Sequence, residues 1–181
     1  MELTFNKSSA ESADRGSLIT TSGVYTGILT KAEVFKKNSG AAGIEFAFES
    51  EDGSKADFLS IYTRKKTGEE SFGMGHIHAL MGILGLSKVN TQSDGDRTII
   101  PAFCQKKIAV ALQREDYLKN NGTVGYKMNI LHFFDAVTKK TYAELSSGKE
   151  AKTYLREIKD NPPNENKTVS NSPNMEEDLP F

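Results

Sequence analysis

Polar and apolar residues alternate from Gly23 onward. In GVYTGILTKAEVFKK, residues Val24, Thr26, Ile28, Thr30, Ala32 and Val34 fall on one side of an extended chain, and Tyr25, Leu29 and Phe35 on the other. That period of two predicts a first strand. A glycine-containing break, NSGAAG at 38–43, precedes GIEFAFES, where Ile44, Phe46 and Phe48 alternate as a second strand. In the segment EDGS, Asp52-Gly53 supplies the positive φ of a tight hairpin, and KADFLSIYTRKK returns as a third strand. The period then changes. Ile77, Leu80, Met81 and Leu84 recur at i, i+3, i+4 and i+7, one stripe of a helix, with Gly85 placed as its C-terminal cap. KKIAVALQRE predicts a fourth strand with Ile108, Val110 and Leu112 inward; after the polar loop EDYLKNNGT, GYKMNILHFF predicts a fifth. Helical signals return in TYAELSS and in GKEAKTYLREIKD, where Tyr154, Leu155 and Ile158 are placed to pack on the body.

Three meander strands, a helix and two further strands form the succession of an OB-fold-like five-stranded barrel, with the helix bridging the third and fourth strands. A β-sandwich with a crossover helix fits the same order less specifically. Residues 1–22 read as a loose lead-in and 23–160 as the folded, mainly β domain with a C-terminal helical segment. After Asp160 the composition changes: NPPNENKTVSNSPNMEEDLPF holds four prolines, five asparagines and few apolar residues. Such a segment cannot bury enough surface to offset the entropy of ordering, so 161–181 are expected to be a disordered acidic tail.

Charge divides along the same boundary. The chain's net charge is −1; residues 161–181 carry one lysine against four acids, or −3, leaving +2 for residues 1–160. A mildly basic body with an acidic tail suggests an anionic partner and a separate interaction segment. No run approaches a membrane span, no signal peptide opens the sequence, and the single cysteine, Cys104, fits a reducing compartment. A cytoplasmic location without membrane association is therefore expected.

Single-strand binding requires cations for phosphates, interleaved with flat side chains on which bases stack. The loops and strand ends that serve oligonucleotides in OB barrels carry both. Phe35, Lys36 and Lys37 enter the 1–2 loop. Phe58, Tyr62, Arg64, Lys65 and Lys66 lie on or just beyond the third strand, with Phe58 and Tyr62 sharing a face with Ser60 and Arg64. Around the 4–5 loop stand Arg114, Tyr117, Lys119, Tyr126 and Lys127. Catalytic and metal chemistry have weaker candidates. His76 and His78 at i and i+2 point about 200° apart on a helix, and His132 and Cys104 show no ligand spacing. No phosphate-binding glycine loop or nucleophile elbow appears, so neither an enzyme nor a bound cofactor is expected.

The OB-like body, the Pro/Asn-rich leash and the ending EEDLPF together resemble single-stranded DNA-binding proteins of bacterial and phage replication. The tip is similar to that family's Asp-rich, Pro-Phe ending, which docks on replication and repair enzymes; Leu179 stands where isoleucine is usual. The resemblance implies that Phe181 is a hydrophobic anchor, that Pro180 stiffens the tip beside Leu179, and that Glu176, Glu177 and Asp178 pair with a partner's basic residues. The three acids of the tip, carried on a leash, are also expected to mimic DNA charge and to compete for the basic groove while no DNA is bound. The body lacks the bacterial family's tryptophans. From Gly23 through Leu86 it is more similar to phage-encoded proteins found beside recombination genes, with a GxYxxxIxKAEV-like strand in which Leu29 stands at the Ile position, a short DG hairpin and a central helix. The expected activity is sequence-independent binding and protection of single-stranded DNA in replication and recombination, with replication and recombination proteins recruited by the tip. The alternative is an interaction adaptor or recombination mediator that does not bind DNA. A homodimer is a further expectation.

Overall fold

The computed structural model describes residues 17–160, and Thr4. Its strands are β1 (Gly23–Lys36), β2 (Ala42–Ser50), β3 (Lys55–Arg64), β4 (Gln92–Asp94), β5 (Arg97–Ile99), β6 (Lys107–Leu118) and β7 (Val124–Asp135). Among the described residues three α-helices join them, α1 (Gly73–Ile83), α2 (Tyr142–Ser146) and α3 (Lys152–Asp160), besides a 3-10 turn at Pro101–Phe103. The protein is mainly β. One open antiparallel sheet contains all seven strands.

The first three strands form the expected meander. The hairpin between β2 and β3 turns at Asp52-Gly53, where Gly53 has φ +81° and the Asp52 carboxylate accepts from the Ser54 N–H at 2.9 Å. The helical stripe also holds: Ile77 and Leu80 are buried, and Met81 and Leu84 pack against the same core. At the helix end Gly85 has φ +66°. Its N–H donates to Gly82 and that of Leu86 to Met81, the paired bonds of a Schellman cap.

Two expectations about the sheet change. The alternation predicted along β1 does not hold on a single face. A bulge between Leu29 and Lys31 switches the parity, so Leu29 faces the core before it, and Ala32 and Val34 after it. A closed barrel also does not form. β3 and β7 share no hydrogen-bonded ladder; instead the free edge of β3 is occupied by other chain segments. At one end the Lys55 N–H donates to Ser17 and Lys55 accepts from Ile19. At the other, Lys65 donates to Glu69 and Ser71 donates to Thr63. α1 packs against both β3 and β7 where a closing ladder would run. The lead-in therefore joins the body earlier than Gly23, with Ile19 buried beside β3.

β6 is buried on both faces. Ile108, Val110 and Leu112 enter the main core with Phe46, Phe48, Leu59 and Phe133. Ala109 and Ala111, with Phe134, form a second, smaller core covered by Tyr154 of α3. Small residues on that face leave room for the helix. Of the three α3 residues expected to pack inward, only Tyr154 does; Leu155 and Ile158 are exposed. Glu157 is buried in their place, with its carboxylate 3.0 Å from Arg156 and 3.5 Å from His132.

Candidate nucleic-acid interface

The outer face of β1–β3 carries an aromatic pair built across three strands. Phe35 on β1 stands opposite Gly43 on β2, which stands opposite Tyr62 on β3. Gly43 has no side chain, so the flanking rings meet over it. They lie edge to face with centroids 5.1 Å apart and planes at 85°. A Cβ at Gly43 would lie 2.7 Å from Phe35 Cζ and collide with the Ile61 carbonyl, so the pair depends on that glycine.

Cations collect around this end of the sheet. The β1–β2 loop closes when Lys37 N–H donates to Ala41 and Gly40 N–H to Lys37. Gly40, at φ +94°, backs against Lys66 of the turn after β3, so the two basic loops are neighbours. Lys36, Lys37, Arg64 and Lys66 are exposed and form no ion pair among the described residues. Lys65 bonds Glu69 at 3.5 Å.

The centre of the face is different. Glu33 and Glu45 lie opposite one another, Ser60 is across from Glu45, and the Lys31 ammonium bridges the two acids at 3.7 and 2.7 Å. Beyond them stands Phe58. A bulge between the Phe46 and Phe48 pairings gives β3 an extra residue there. Phe58 takes φ +59° and leaves its ring 76% exposed, with Lys31 Nζ 5.9 Å from the centroid. A bulky residue in the left-handed region costs about 1–3 kcal/mol, and here it gains no burial in return. A further register shift at Gly43 takes Arg64 out of simple alternation with Tyr62.

The β6–β7 hairpin residues lie elsewhere. β6 runs alongside the N-terminal half of β1, with Leu112 opposite Gly23, so residues 113–129 extend beyond the end of β1 farthest from Phe35. Several of these side chains serve the hairpin itself. Arg114 bonds Asp116 at 2.7 Å and the Thr20 carbonyl at 2.9 Å, with its guanidinium 4.6 Å from the Tyr126 ring centroid. Lys127 pairs with Glu115 at 3.3 Å. Tyr117 and Lys119 close over Gly125, whose Cβ would lie 3.0 Å from the Tyr117 ring and 2.6 Å from Lys119 Cε. The three basic–aromatic clusters therefore separate into a joint site at one end of β1 and, at the other, a hairpin in which Arg114 and Lys127 are paired with acids while Lys119 is exposed without an ion pair among the described residues.

The fold brings together two histidines that are distant in sequence. His76 on α1 and His132 on β7 have ring centroids 6.4 Å apart, with Phe72 on one side and Glu157 and Arg156 on the other. Burial, and then the neighbouring His132, hold His76 below the ordinary histidine pKa. Burial also lowers His132, with Glu157 opposing that shift and Arg156 adding to it. His78 is exposed on another side of α1. Among the described residues no group of three potential ligands is placed to hold a metal. Glu176, Glu177, Asp178, Leu179, Pro180 and Phe181 lie outside the described residues.

These features define a mainly β protein with an open sheet, one outer face of which carries an aromatic pair ringed by cations. No described helix is long and apolar enough to cross a membrane. No protein-family model and no curated protein matches the chain.

Proposed function

We propose that this protein binds single-stranded DNA without sequence specificity, in the service of replication or recombination, through the outer face of β1–β3. The observation that carries this reading is the Phe35–Tyr62 pair over Gly43, framed by Lys36, Lys37, Arg64 and Lys66. Rings supply stacking surfaces worth about 1–3 kcal/mol per base, and the surrounding cations neutralise phosphates. Phe58 offers a second stacking surface at the far end of β3, which gives its strained, exposed conformation a use. Glu33 and Glu45 repel phosphates from the centre, so the strand lies with its bases inward and its backbone along the basic rim. The strand order supports an OB-like reading. β1 pairs with β2 on one edge and β6 on the other, β6 pairs with β7, and α1 lies between β3 and β7. The tip Glu176–Phe181 fits a peptide that recruits partner proteins of the same processes.

Fluorescence anisotropy of a labelled oligo-dT, titrated with full-length protein at several salt concentrations against a duplex of equal length, tests this reading. Tight single-strand binding with a negative salt slope of about 0.7 per neutralised phosphate supports it. Flat curves for both nucleic acids overturn it and favour the adaptor alternative.

A further inference from the structure

α3 is only half used by the fold. Tyr154 and Glu157 hold one side against β7, with the Tyr154 ring 5.5 Å from that of Phe134 and Glu157 beside His132. The Glu144 carboxylate fixes the start of the helix by accepting from the Thr153 N–H at 2.8 Å. The remaining side presents Leu155, 64% exposed, and Ile158, 53% exposed, among Lys152, Arg156 and Lys159. Lys152 and Lys159 form no ion pair among the described residues, and of the two acids in α3, Glu157 is buried and bonded to Arg156 while Asp160 stands at the C-terminal end of the helix.

An apolar pair ringed by cations calls for an apolar ligand flanked by acids. A second copy of the same face brings like charges together over two side chains, too little apolar surface to offset the repulsion. A nucleic-acid strand satisfies the cations but not Leu155 and Ile158. This chain itself carries the matching sequence, with Glu176, Glu177 and Asp178 next to Leu179 and Phe181. About 15 residues separate α3 from Glu176; they reach at most about 50 Å, while the helix is about 13 Å long, so the tip can return to the helix it leaves. A tether of that length holds the tip near α3 at an effective concentration of order millimolar, enough for a weak contact to be occupied.

We propose that the exposed face of α3 is a docking site for the chain's own C-terminal tip, with Leu179 and Phe181 against Leu155 and Ile158 and the three acids against the flanking cations. The contact needs no DNA and does not depend on the DNA-binding reading. It makes α3, rather than the β1–β3 face, the place where the tip is held until a partner takes it.

Zero-length carbodiimide cross-linking of full-length protein, prepared as a mixture of 14N- and 15N-labelled chains and read by mass spectrometry, tests the proposal. The expected product joins Glu176, Glu177 or Asp178 to Lys152 or Lys159 within one chain. Its yield should fall at least fivefold in the Leu155→Ser, Ile158→Ser double variant. Both positions are exposed, so an unchanged circular-dichroism melt is the control for folding. Tip cross-links to Lys36, Lys37 or Lys66, mixed-isotope links at the statistical share expected for joining separate chains, an undiminished yield in the double variant, or no tip link at all would each overturn it.

Discussion

The two ends of β1 hold similar residue types in different states. At the Lys36 end, two rings meet over a glycine, and four cations around them stand without acidic partners among the described residues. At the Gly23 end, the hairpin of β6 and β7 has arginine, lysine and tyrosines too, but Arg114 is fastened to Asp116 and Thr20, and Lys127 to Glu115. A basic–aromatic cluster becomes a candidate binding surface only where its charges are not already satisfied internally. Composition cannot distinguish the two ends; pairing does for most of their cations, Lys65 being paired at the first end and Lys119 unpaired at the second among the described residues.

The largest effect is expected from removing the rings. Phe35→Ala with Tyr62→Ala should weaken oligo-dT binding by about 30-fold or more, since each stacked base contributes about 1–3 kcal/mol. Titration by anisotropy at one fixed salt concentration checks it, and a loss below threefold would erase the distinction between the ends. Neutralising Lys36, Lys37, Arg64 and Lys66 one at a time should lower affinity several-fold each and reduce the salt slope by about 0.7 per residue. The same change at Lys127, already held by Glu115, should leave the slope unchanged.

Phe58 sharpens the comparison in another way. Phe58→Gly relieves the left-handed strain and should raise stability by up to about 1 kcal/mol in urea unfolding, while weakening oligo-dT binding several-fold. Arg114→Ala should do the reverse. Loss of its bonds to Asp116 and Thr20 should cost about 1–3 kcal/mol of stability, with less than a twofold change in DNA affinity.

The smallest expected effect concerns pH. His76 and His132 bind protons less readily in the folded protein than in the unfolded chain, because both are partly buried. Stability should therefore fall as pH drops below about 6.5, and the fall should level off once the folded-state values are passed. Thermal melts between pH ~7.5 and ~5 should show the decline, flattened in His76→Gln. Neither candidate end of β1 contains a histidine, so oligo-dT affinity should not follow it.

Much of the framework was legible because it is local. The alternation of β2, the Asp52-Gly53 turn, the Ile77–Leu84 stripe and the Gly85 cap each declare themselves within a few residues. Features that depend on pairing were not. The bulges at β1 and at Phe58 shift parity by one residue, which no periodicity predicts. The short β4–β5 hairpin, with Gly95 at φ +60°, was not expected at all: its strands are three residues each, too short to show a period. The sheet stays open because the edge of β3 is occupied by Ser17–Ile19 and Glu69–Ser71, segments without strand patterning. For the candidate site, Phe35 and Tyr62 were recognisable as residue types. Their meeting depends on Gly43, which reads in the sequence as part of a loop.

The most direct test of the account places the DNA on the protein. A single-stranded oligonucleotide bearing 5-iodouracil, irradiated in complex with full-length protein and mapped by mass spectrometry, reports which rings lie against bases. Cross-links at Phe35, Tyr62 or Phe58 are the predicted result. Cross-links confined to Tyr117 and Tyr126 of the hairpin, or none in a complex that demonstrably forms, would contradict the assignment of the β1–β3 face.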